Sequence, residues 1–96
     1  MAILTTFKVK GDPDELYRTG MEKIEPEITE VATRNGALAR VIVKEDDGLL
    51  FFHLWENEEG MRKTAEEMGG RIREEDFPPQ EGWQQLEVLH HATQAS

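Results

Sequence analysis

The stretch Ala37-Leu38-Ala39-Arg40-Val41-Ile42-Val43-Lys44-Glu45-Asp46-Asp47-Gly48-Leu49-Leu50-Phe51-Phe52-His53-Leu54-Trp55 decides the fold. Residues 37–45 and 49–55 are both rich in β-branched, aromatic and aliphatic side chains, and each reads as a strand. Asp47-Gly48 between them is a two-residue hairpin signal. Upstream, residues 2–10 alternate Ile3, Thr5, Phe7 and Val9 with Leu4, Thr6, Lys8 and Lys10, which predicts another strand. Asp12-Pro13-Asp14-Glu15 then opens a helix: Asp12 caps it, Pro13 suits the first turn and Glu15 completes a capping box. Leu16, Met21, Ile24, Ile28 and Val31 continue it at helical spacing to a stop at Asn35-Gly36, and Pro26 should kink or split it. Downstream, Met61, Ala65, Met68 and Ile72 predict a second helix over 58–76, interrupted at Gly69-Gly70. Phe77-Pro78-Pro79 is a loop, residues 82–91 a last strand, and the tail from Ala92 to Ser96 should fray. The order βαββαβ predicts an α+β, ferredoxin-like fold: a four-stranded antiparallel sheet with two helices on one face.

The chain has 96 residues, enough for one domain spanning 1–96, since domains commonly run to about 100–150 residues. Eleven basic residues against 20 acidic ones give a net charge of −9, which argues against binding a nucleic-acid backbone. With no cysteine there is no disulfide, thiolate nucleophile or iron–sulfur cluster, and a cytoplasmic setting is expected. No apolar run approaches the ~18–20 residues of a membrane span. Met1 to Lys8 lacks the basic start and long apolar stretch of a secretory signal.

A two-residue turn at Asp47-Gly48 would set Lys44 opposite Phe51, Ile42 opposite His53 and Arg40 opposite Trp55. Val41, Val43, Phe52 and Leu54 would share the other face. That second set is wholly apolar, so it is expected beneath the helices. Phe51, Trp55 and Ile42, with Arg40, His53 and Lys44, would then lie on the uncovered face. Exposed aromatics of that extent need a cover. A second copy packed sheet to sheet supplies one, so a homodimer enclosing a space between two sheets is expected.

The element order, the length and the run Phe52-His53-Leu54-Trp55-Glu56-Asn57-Glu58-Glu59-Gly60-Met61 resemble the dimeric α/β barrel superfamily, in its antibiotic-biosynthesis-monooxygenase-like branch. The resemblance implies a dimer with a pocket between each sheet and its own helices, or within the barrel. Some members oxidise polyketide-like aromatic substrates with molecular oxygen and no metal, flavin or haem. Others degrade haem, and many have no known activity. Trp55 matches a pocket-lining tryptophan. Haem-degrading relatives carry an Asn in the first strand and a His on the second helix; here Thr5, Thr6 and Phe7, and then Thr64 and Ala65, stand in those regions. Haem degradation is therefore not expected.

The residues themselves suggest a site on the uncovered face. A neutral His53 could act as general base on an acidic phenol or enol. Arg40 could stabilise the resulting oxyanion. Trp55, Phe51 and Ile42 could hold a flat aromatic molecule, and Glu87 could orient His53 or Arg40. The competing reading makes His53 and Arg40 satisfied polar residues of a dimer interface. Trp83 reads as interface or edge packing, Tyr17 as surface or packing, and Met21, Met61 and Met68 as core. His90 and His91 would point to opposite sides of a strand, so no metal cluster is expected. Two functions follow: a cofactor-independent monooxygenase on a small aromatic substrate, or a non-catalytic barrel that binds a small molecule or serves an accessory role.

Overall fold

The computed structural model describes residues 1–75 and 77–92, and Met21 through its backbone. The expected helix end at Asp76, the tail beyond Ala92 and the packing of the Met21 side chain lie outside the described residues. The elements run β1 (Ile3–Lys10), α1 (Pro13–Lys23), α2 (Glu25–Arg34), β2 (Ala37–Glu45), β3 (Gly48–Trp55), α3 (Glu58–Glu74) and β4 (Gln80–Glu87). The four strands form one antiparallel sheet in the order β2-β3-β1-β4. This is the ferredoxin-like arrangement that the element order predicts.

The first helix is split rather than kinked. Pro26 has no N–H to give and its ring would crowd the carbonyl of Glu22, so α1 ends at Lys23 and Pro26 sits in the first turn of α2. Asp12 caps α1 as expected, its carboxylate accepting the Glu15 N–H at 3.1 Å. The α3 helix runs unbroken through Gly69-Gly70 and is capped by Asn57, which accepts the Gly60 N–H at 3.0 Å. The last strand starts and stops earlier than expected. It ends at Glu87, so His90 and His91 lie beyond the sheet.

The hairpin register differs by two residues from the expected one. Glu45 pairs with Gly48, Ile42 with Phe51 and Arg40 with His53, leaving Asp46 and Asp47 as the turn. Gly48 is a strand residue. A Cβ there would stand 2.2 Å from the Val9 carbonyl oxygen, so glycine is demanded by the close approach of β1 rather than by the turn. Lys8 fastens the turn through Asp47 at 2.6 Å and Glu45 at 2.9 Å, which push its amine up to about 12. Gly48→Ala is expected to lower unfolding stability by about 3 kcal/mol or more, because backbone on backbone cannot yield as side chains do. Urea denaturation measures this.

A shift of two keeps every residue on its face, but the helices cover the opposite face from the expected one. Ile3, Thr5, Phe7 and Val9 of β1 are buried beneath them, with Leu49 and Trp55 of β3. Val41, Val43 and Leu86 lie on the outer face, at 51%, 39% and 47% exposure. The expectation rested on the other set being wholly apolar, whereas Arg40 and Lys44 carry a cost when placed under helices. That cost is met at the β2 edge: Arg40 pairs with Glu25 of α2, and Lys44 reaches Asp14 of α1 at 2.9 Å. The central strand β1 then decides the face, because one side carries Ile3, Thr5, Phe7 and Val9 while the other carries Leu4, Thr6, Lys8 and Lys10 and is the more polar. Ile3, Ala32 and Trp55 form the core at one end, backed by Ala37 and Met61.

Candidate functional site

The register sets side chains on the helix side of the sheet into cross-strand rows. One row is aromatic. Trp83 of β4 stacks on Phe7 of β1 (centroids 5.1 Å apart, planes at 21°), and Phe7 stacks on Phe51 of β3 (4.9 Å, 12°). Ile42 of β2 extends the row, opposite Phe51. The next row holds Thr5, His53 and Arg40. The row beyond holds Ile3, Trp55 and Ala37.

A cavity of about 540 Å³ lies between these rows and the three helices. Leu16 and Ile24 of α1 and its junction, Ile28 of α2, and Met68 and Ile72 of α3 form its roof. Tyr17 and Trp83 also line it and are 48% and 49% exposed, which places them towards its opening. The volume falls within the ~300–1,000 Å³ of small-molecule sites.

Polar groups interrupt the apolar wall, among them Thr5, His53 and Arg40 of the sheet. Trp55 donates from Nε1 to Thr5 Oγ1 at 3.1 Å, which satisfies a buried indole and fixes its ring. His53 stands edge-on to Trp55 (6.0 Å, 79°) and to Phe7 (5.8 Å, 65°). Its Nε2 is buried and finds no hydrogen-bond partner among the described residues. Burial, and then the nearby Arg40 charge, lower its pKa from 6.5 to about 4. The ring is therefore neutral at pH 7. Arg40 donates from Nη1 to the Glu25 carboxylate and, at 3.2 Å, to Thr29 Oγ1. The pair is only 13% and 18% exposed, and it anchors the β2 edge to the start of α2.

Of the residues expected at the site, His53, Arg40, Trp55, Phe51 and Ile42 meet in this cavity. It lies under the protein's own helices, not on the uncovered sheet face. Glu87 is not among them. It pairs with Ile3 at the far end of the exposed edge strand and lies outside the lining. The carboxylate that holds Arg40 is Glu25. Trp83, expected at an interface or edge, lies on the edge strand β4 and packs there as the end of the aromatic row. Phe7 and Thr5 join the site through the pairing of β1 with β3, which sets Thr5 opposite His53 and Phe7 opposite Phe51, a placement that strand alternation alone does not give. Glu25 had no signal in the sequence, because its position depends on where the helix breaks. Among the described residues no grouping of His, Asp or Glu could hold a metal ion, and no helix is long and apolar enough to cross a membrane.

No family model and no curated protein matches the sequence. Solved structures do match. A dimeric ferredoxin-like protein from an uncultured marine organism superposes with a TM-score of 0.75 at 12% identity, over 98% of this chain and 93% of that one. The fold is ferredoxin-like. The ferredoxin-like chain is also similar to Rv0793 from Mycobacterium tuberculosis, with a TM-score of 0.70 at 10% identity over 97% of this chain and 100% of that one. A third structure is SnoaB, a cofactor-independent oxygenase from Streptomyces nogalater, with a TM-score of 0.61 at 12% identity over 97% and 96% of the two chains. At these identities the likeness is one of fold.

Proposed function

We propose that the protein binds a flat, mainly apolar small molecule beneath its helices and oxidises it with molecular oxygen, without a cofactor. The observation that carries this reading is the neutral His53 ring set beside Arg40 in the wall of an aromatic-lined cavity. The fold shared with SnoaB supports it. The aromatic row offers a face for a flat ring system. His53 takes a proton from an acidic phenol or enol. By itself it is a weak base, but the anion formed beside it favours its charged form and raises its proton affinity. Arg40 retains donors in its guanidinium fork beyond Nη1 and stabilises that anion. Oxygen is the oxidant: a ring methylene becomes a carbonyl, one oxygen atom is retained and the other leaves as water with the two hydrogens. The outer sheet face pairs with that of a second copy, as the dimeric neighbour supports.

Anthrone, whose methylene is acidified by two flanking rings, is a suitable probe. Oxygen uptake above the protein-free rate is expected with the wild type. His53→Ala and Arg40→Ala should each lower it about 100-fold, the usual order for losing a positioned proton-transfer group or an anion-stabilising donor. Full uptake in both variants would remove these residues from the reaction.

Non-catalytic binding is the second reading, and one observation favours it: Glu25 already meets the charge of Arg40. Wild-type protein that binds anthrone, seen as quenched tryptophan fluorescence, without faster oxygen uptake would select this reading.

A further inference from the structure

We infer that Gly20 and Gly69 set the size of ligand the cavity admits, by presenting bare helix backbone to the space opposite the aromatic row. The inference rests on reading the cavity as the ligand site.

Glycine in a helix interior costs stability relative to alanine, so a helical glycine asks for a reason. Here the fold supplies none. Positive φ occurs at Gly11, Gly36 and Gly82, not at Gly20 or Gly69. Nor does close packing require them. A methyl group at Gly20 would have one neighbour within 4 Å among the described residues, the Phe77 ring at 3.9 Å. At Gly69 it would meet only the mobile end of the Arg73 side chain, at 3.5 Å. Gly48 differs sharply, since its Cβ would stand 2.2 Å from backbone.

Both glycines instead line the cavity. Gly20 falls between Leu16 and Ile24 at four-residue spacing, in the middle of the inward face of α1. Gly69 stands between Ala65 and Arg73 at the same spacing on α3. Gly70, its neighbour, is exposed and outside the lining, which makes it a natural control.

The volume shows what the bare backbone provides. An apolar cavity of ~150 Å³ holds one benzene ring. The 540 Å³ here admits a fused system of about three rings. Two methyl groups would intrude on such a ligand and leave a single ring untouched.

The test compares phenol, naphthol and anthrone by quenching of tryptophan fluorescence, with melting temperatures measured in parallel. In Gly20→Ala/Gly69→Ala, anthrone should bind about tenfold more weakly, the size of a modest steric overlap, while phenol binds as before. The melting temperature should rise in this variant, and Gly70→Ala should raise it without changing any affinity. Unchanged anthrone binding in the double variant, or a lowered melting temperature, overturns the inference. Failure of the wild type to bind any of the three overturns the reading of the cavity itself.

Discussion

Val41→Glu combined with Val43→Glu is expected to convert a dimer into 11.0 kDa monomers. Both valines lie on the sheet face that no helix covers, at 51% and 39% exposure, and Leu86 of β4 shares that face. Phe52 and Leu54 of β3 continue it, Phe52 directly opposite Val41. An uncovered apolar sheet of this extent is what a second copy would bury. A two-fold interface presents each substitution twice, so four carboxylates would meet between two chains that each carry a charge of −9. Desolvating them without partners should cost roughly 4 kcal/mol or more, about a thousandfold in the dissociation constant. Native mass spectrometry at micromolar concentration reads this as loss of the species at twice the chain mass. The cavity opens on the opposite side of the sheet, so anthrone quenching should survive in the monomer. A wild type that is already monomeric would leave the outer face without the proposed role.

The sheet topology was legible because each strand announces itself locally. The alternation in residues 3–9, the valine-rich run 41–43 and the aromatic run 51–55 need no tertiary context. The hairpin turn was misplaced because Asp47-Gly48 carries a turn signal, whereas the glycine answers to Val9 on a neighbouring strand. The site illustrates a different limit. His53, Arg40, Trp55, Phe51 and Ile42 share one face by strand parity, and parity survives a two-residue slip. Which face the helices cover is a non-local matter. Glu25 and Asp14 meet Arg40 and Lys44 from the helices, and the β1 pattern decides the face only once β1 is paired beside β3. Glu87 lies outside the cavity lining for a related reason. Its strand begins two residues earlier than the sequence suggests and bulges at Gly82, where φ is 65°, opposite Thr6 to Lys8. Row membership could not be read across that irregularity.

Lowering the pH from 7 to 5 should destabilise the wild type by about 2 kcal/mol more than His53→Gln. The folded protein holds His53 near 4, while the unfolded chain lets it titrate at its ordinary 6.5. Between those values the unfolded state binds the additional proton. Stability is therefore full above pH 6.5 and is lost as the pH falls towards 4, to a total of about 3 kcal/mol. Burial is the main cause, and the Arg40 guanidinium adds to it. Glutamine keeps a polar planar group at the position and cannot take up the proton, so the difference between the two proteins isolates this one site. The carboxylates held low by cations, Asp47 beside Lys8 and Glu75 beside Arg71, lose their contribution at lower pH and do so equally in both proteins. Urea denaturation at the two pH values gives the comparison. Equal losses would mean that the folded protein accommodates a charged imidazole, and the neutral base assigned to the cavity wall would no longer stand. A bound anion should act in the opposite direction. By favouring the imidazolium it should narrow the difference, so the same titration with ligand present tests whether His53 and the anion meet.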